Sequence, residues 1–116
     1  MYNKKISLYL NDIKDSINAI NDYIASMTFD DFINDRKTYM AVIREFEIIG
    51  EAVKNIPDSI KAQYTEIQWR DIVDFRNLLI YQYFGVDLEI VWKTIEEDLP
   101  SLKNAIEDIE KTLEKS

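Results

Sequence analysis

The sequence predicts an all-α protein, an antiparallel bundle of four to five helices. Apolar residues recur at spacings of three and four along most of the chain, and no stretch carries a strand signal. Only two Gly and two Pro interrupt the 116 residues, and 47% hydrophobic with 31% charged residues is the balance of a folded chain. A chain of this length builds one core, so residues 1–116 form a single domain.

Each element follows from its pattern. Ile6, Leu10, Ile13, Ile17, Ile20, Ile24 and Met27 step by four and three, with Lys4, Asp12, Lys14, Asn18 and Asp22 on other faces, which predicts a helix over 4–27. Thr28 ends it and can cap the next segment. After a short turn over 29–35, a helix over 36–55 carries two adjacent apolar seams and therefore a broad buried face. Gly50 lies within one seam, where glycine weakens a helix, so another backbone is expected to approach closely there.

Pro57 and Asp58 break the pattern ahead of a single turn over 59–63. Thr65-Glu66-Ile67-Gln68 then has the form of a capping box and predicts a helix over 66–84, stopped by Gly85 in the left-handed conformation. The last helix opens at the cap Asp87 and aligns Leu88, Trp92, Ile95, Leu99, Leu102, Ile106, Ile109 and Leu113. It should kink at Pro100.

Composition narrows the chemistry. The chain has neither Cys nor His, so disulfides, thiolate metal sites and the commonest general base are missing, and no metal or cofactor is expected. The N-terminus leads straight into an amphipathic pattern without a long apolar run, which predicts no signal peptide, no membrane partner and a cytoplasmic location. A net charge of −8 opposes loose binding to polyanions, DNA included. Residues 85–116 hold nine acidic and four basic side chains, so the acidity concentrates at the C-terminal end and leaves room for a local basic site elsewhere.

Residues 72–84 are apolar nearly all round, the mark of a buried or interfacial helix. Within them Ile72, Arg76, Leu79 and Tyr83 form a seam that brings a guanidinium in line with core-facing residues. Such an arginine either pairs with Glu47, Glu51 or Asp74 to fix helix register, or faces a pocket and holds a phosphate. Arg76 and Tyr81 differ by about 140° around the helix, so a site using both requires two copies of it, as at a two-fold axis. Arg36, Lys37 and Arg44 are the candidate basic neighbours.

The run Arg76-Asn77-Leu78-Leu79-Ile80-Tyr81-Gln82-Tyr83-Phe84, preceded by Trp69 and followed by Gly85-Val86-Asp87, resembles the R-N-x-L-I-H-x-Y-F-G-V-D segment of HepT-like proteins in the HEPN superfamily. Ile48-Ile49-Gly50-Glu51-Ala52 upstream and Val91-Trp92, Ile95 and Asp98-Leu99-Pro100 downstream are similar to the same family. The resemblance implies a HEPN-like bundle that dimerises through its motif helices. It implies the toxin of a type II toxin–antitoxin pair, a metal-independent RNA endonuclease with the Arg and His of R-x4-H at the dimer cleft. The implied partner is a minimal nucleotidyltransferase antitoxin that silences the toxin by adding AMP to a motif tyrosine.

Carried over by position, the arginine is Arg76, its polar neighbour Asn77 and the AMP-accepting residue Tyr83, while Tyr81 occupies the place of the histidine. A free phenol, with a pKa near 10, is ionised in about one molecule per thousand at pH 7. A positioned acid–base group contributes about 10²–10⁴ in rate, so RNA cleavage should be strongly reduced. Tyr81 can still donate a hydrogen bond or stack on a base, or else pack as an ordinary aromatic. The alternatives are a non-catalytic substrate-binding or regulatory subunit of a nucleotidyltransferase and a helical adaptor.

Overall fold

A computed structural model of the chain describes residues 4–81 and 85–115, with backbone alone at Ile80 and Tyr81. Among the described residues there are seven helices and no strand: α1 (Lys4–Tyr23), α2 (Phe29–Ile33), α3 (Arg36–Lys54), α4 (Asp58–Lys61), α5 (Trp69–Tyr81), α6 (Leu88–Glu97) and α7 (Leu99–Glu114). The predicted all-α bundle is the observed fold, with α2 and α4 as short connectors between its long members.

The core is a seam of three helices. The stripe of α1 buries Leu10, Ile13, Ile17 and Ile20, and α1 packs on α3 and α7. Those helices contribute Val42, Phe46, Ile49 and Val53, and Leu99, Leu102, Ile106 and Ile109. Burying each such side chain stabilises the fold by about 1.5–3 kcal/mol, so packing rather than intrinsic propensity holds these helices. The Lys14–Glu110 ion pair across α1 and α7, at 2.9 Å, adds little beside that because it is partly exposed.

Local competition decides where the elements begin and end. Residues 29–35, expected as a turn, contain the five-residue helix α2. The Thr28 hydroxyl accepts from the Asp31 N–H at 3.1 Å, and the Asp31 carboxylate accepts from the Thr28 N–H at 3.0 Å, a reciprocal cap. Phe32 then buries its ring 5.1 Å from Trp92 of α6 and 6.4 Å from Tyr39 of α3. The first helix stops at Tyr23 instead of 27, because Ser26 takes a left-handed conformation at φ 67° and the Met27 N–H donates to the Ile24 carbonyl at 2.9 Å. Ile24 still packs against the core from this turn, extending the apolar stripe beyond the helix itself.

The motif Thr65-Glu66-Ile67-Gln68 does not cap a helix; α5 begins at Trp69. The Trp69 indole N–H donates to the carbonyls of Lys61 and Tyr64 at 3.2 and 3.1 Å, and Ile67 is buried. Satisfying those carbonyls and burying Ile67 outweighs one cap. Residues 82–84 of the expected helix, and with them the junction to Gly85 where it should stop, lie outside the described residues. At the expected kink the last helix breaks in two: Asp98 ends α6 and precedes α7, whose first turn accommodates Pro100.

The helix that carries the motif, α5, packs on α3. Phe75 meets Phe46 edge to face at 5.2 Å, and Leu79 is buried. This contact fixes which face of α5 turns toward α3, and with it the position of Arg76.

Candidate functional site around Arg76

Arg76 lies one turn from Ile72 and faces α3, where Gly50 makes room for it. A β-carbon at position 50 would overlap the Arg76 Cβ and stand 2.6 Å from its Cγ. The close neighbour expected at Gly50 is therefore a side-chain stem and not a backbone. Glycine is required there because the arginine occupies the space.

The guanidinium is oriented at two of its nitrogens. Nη2 donates to Glu51 Oε2 at 2.8 Å, and Nη1 donates to Asn77 Oδ1 at 2.8 Å. Nε is buried without a hydrogen-bond partner among the described residues. The expected ion pair thus forms with Glu51, while Glu47 pairs with Arg44 at 3.1 Å. The pair is not sealed in the core: the Arg76 side chain is 24% exposed and that of Glu51 53%.

Both open onto a pocket of about 320 Å³ walled by Tyr9 and Asp12 of α1, by Arg44, Glu47 and Ile48 of α3, and by Asn55, which caps the end of α3. Two guanidiniums face three carboxylates there, so a bare phosphate gains little from the summed charge. A ligand that also offers hydroxyl groups and a base edge gains more, because Asn55 and Tyr9 add polar groups to the wall. Of the expected basic neighbours, Arg44 lines the pocket; Arg36 and Lys37 do not, lying about 12 Å or less further up α3 in its first turn.

Sequence reasoning missed Tyr9, Asp12 and Asn55. Asn55 is four residues from Glu51 and donates through Nδ2 to the Glu51 carbonyl at 2.8 Å, a spacing visible in the sequence. Nothing in the periodicity of α1 marks the Tyr9 and Asp12 side as a pocket wall. Tyr81 sits in the last turn of α5, where the structure describes its backbone alone, and Tyr83 lies outside the described residues.

A second cavity, of about 290 Å³, lies between α3, α5 and the α6–α7 break, with Ile49, Ile72, Phe75 and Leu102 in its wall. Asp71 and Asp98 also line it. Burial pushes the Asp98 carboxyl above the usual carboxylate range, and the charges of Glu97 and Asp71 push it the same way. Among the described residues no three His, Cys, Asp or Glu side chains group as metal ligands, and no helix is long and apolar enough to cross a membrane.

The family model described as ribonuclease HepT-like matches residues 13–109, and the chain belongs to the HepT-like ribonuclease family. It is 48% identical over 103 residues to the "Probable ribonuclease HepT" of Thermococcus cleftensis, covering 89% of this chain and 94% of that one. A "Putative RNase" of Methanocaldococcus jannaschii is 40% identical over 114 residues, covering 98% of this chain and 94% of that protein. A longer protein of the same organism, named "Gamma-glutamylcyclotransferase and putative RNase", is 42% identical over 113 residues; the match covers 97% of this chain and 51% of that one. No solved structure matches the chain.

Proposed function

We propose that this chain is the toxin subunit of a type II toxin–antitoxin pair, a cytoplasmic homodimer that engages RNA at Arg76 and cleaves it slowly because Tyr81 stands where the family motif carries histidine. The observation that carries this reading is the state of the guanidinium. Nη1 and Nη2 each give one hydrogen bond within the protein, so each keeps a second N–H for a phosphate oxygen at the open pocket.

Roles follow from the chemistry. Arg76 binds the scissile phosphate and offsets charge that builds up as the phosphorus is attacked. Asn77 holds the Arg76 fork in place. Tyr81 acts as a hydrogen-bond donor in place of the imidazole, reaching the phosphate from the second copy of the helix. Tyr83 accepts AMP from a cognate minimal nucleotidyltransferase, and the added anion competes with RNA for Arg76. Neither a metal nor an organic cofactor enters this scheme.

The test is RNA binding at low salt. Arg76→Ala and Arg76→Lys should each weaken binding by at least about tenfold, the lysine variant because a point charge cannot replace the planar fork. Unchanged binding in Arg76→Ala would remove the reading. A second reading, a non-catalytic subunit that presents itself to a nucleotidyltransferase, is favoured by the complete lack of histidine. The two separate on whether Tyr81→His cleaves RNA.

A further inference from the structure

We propose that Glu51 is the general base of this site, taking the proton from the 2′-hydroxyl next to the scissile phosphate. The proposal rests on the RNA-cleavage reading above and adds a catalytic residue outside the arginine–histidine motif.

A base that works at pH 7 must be unprotonated there. The chain has no imidazole, and a free phenol is ionised in about one molecule per thousand, whereas free carboxylic side chains are almost wholly ionised. The base is therefore sought among the carboxylates of the pocket: Asp12, Glu47 and Glu51. Glu47 is held by Arg44 at 3.1 Å. Among the described residues Glu51 is the one carboxylate bonded to Arg76, with Oε2 accepting from Nη2 at 2.8 Å.

Its geometry suits the task. Oε2 is anchored by Arg76, while Oε1 bonds to no described residue, and the side chain is half exposed. Glu51 follows Gly50 on α3, so the contact that seats the arginine stem also sets the spacing between base and guanidinium. A phosphate on the remaining N–H of Nη2 and the carboxylate on the other N–H are then neighbours. The 2′-hydroxyl, borne on the carbon next to the one that carries the bridging 3′-oxygen, would then come within reach of Glu51 Oε1.

The step balances. The O2′–H proton passes to Glu51 Oε1, and the O2′ electron pair forms the O2′–P bond. The P–O5′ bond breaks, and O5′ takes a proton from solvent water. The hydroxide left behind recovers the proton from Glu51. The products are a 2′,3′-cyclic phosphate and a 5′-hydroxyl. A free carboxylate is a weaker base than a free imidazole, so the reaction is slower than one with a histidine base.

The experiment uses the full chain and a short end-labelled single-stranded RNA, comparing wild type, Glu51→Gln, Tyr81→His and the double variant under single-turnover conditions. Glutamine keeps an oxygen for Arg76 but cannot take a proton. Glu51→Gln should lower the cleavage rate by about 10²-fold while binding of a 2′-deoxy analogue stays close to wild type. In the Tyr81→His background the same change should cost far less, since an imidazole then serves as base. Wild-type cleavage by Glu51→Gln would refute the base and leave the ribonuclease reading standing. So would a wild type that is inert while Tyr81→His cleaves. A merely structural Glu51 would be rescued by glutamine or would lose analogue binding in step with rate, and either result overturns the proposal. If Tyr81→His is inert as well, the ribonuclease reading falls, and Glu51 with it.

Discussion

The stem of Arg76 occupies the space that a side chain at position 50 would need, so Gly50 and Arg76 form a fitted pair across α3 and α5. Gly50→Ala should gain about 0.5–1 kcal/mol of helix propensity and lose about 1–3 kcal/mol to overpacking, a net destabilisation. The urea midpoint should fall without a change in slope, and RNA binding should weaken because the guanidinium shifts. A variant that unfolds at the wild-type midpoint would show that α5 moves aside freely.

Replacing Tyr81 by histidine restores a side chain whose free pKa lies near neutrality, and RNA cleavage should rise by about 10²–10⁴-fold. Growth arrest on expression should follow. The measurement is degradation of total RNA in cells and of a labelled oligonucleotide in vitro, with Arg76→Ala in the same background as the inactive control.

Co-expression with the cognate nucleotidyltransferase and ATP should add AMP at Tyr83, read as a mass increment on the peptide that spans residues 82–84. Tyr83→Phe should carry none. Modification that persists in the phenylalanine variant would move the acceptor elsewhere and leave the adaptor reading ahead.

Asp98 supplies a pH test. Its carboxyl is raised in the folded protein, chiefly by burial, so its ionised form is disfavoured in the native state relative to the unfolded chain. Its contribution is most favourable below the unfolded carboxylate range and is lost as pH rises through the folded value. Its side chain makes no capping hydrogen bond to α7. Because Asp98 is exposed by surface area, solvent screens the effect: Asp98→Asn should raise Tm only slightly at pH 7 and change it less at pH 4, and the opposite order would contradict desolvation as the cause.

The long apolar stripes were legible because period alone fixes them: Ile13 and Ile17 in α1, Leu102 and Ile106 in α7. Caps at Thr28 and Asp87 were legible from residue type, and the Asp87 carboxylate indeed accepts from the Glu89 N–H at 2.9 Å. The start of α5 was not, since a local cap motif competes there with Trp69 bonding back to Lys61 and Tyr64, and tertiary burial of Ile67 decides. α2 is too short to show a period. At the site, Arg76 and Gly50 each stood out singly, but their contact joins helices that sequence spacing cannot orient, and Glu51 was one of three equivalent partners until α5 was docked.

The buried Nε has a consequence for the direction of approach. An arginine presents two edges to an anion, a side edge formed by Nε with Nη2 and an end edge formed by the two Nη groups. Here the first is closed, since Nε is walled off and Nη2 is tethered to Glu51. The end edge, between Asn77 and Glu51, is then the open approach for a tetrahedral oxyanion, which meets the two Nη groups and not Nε.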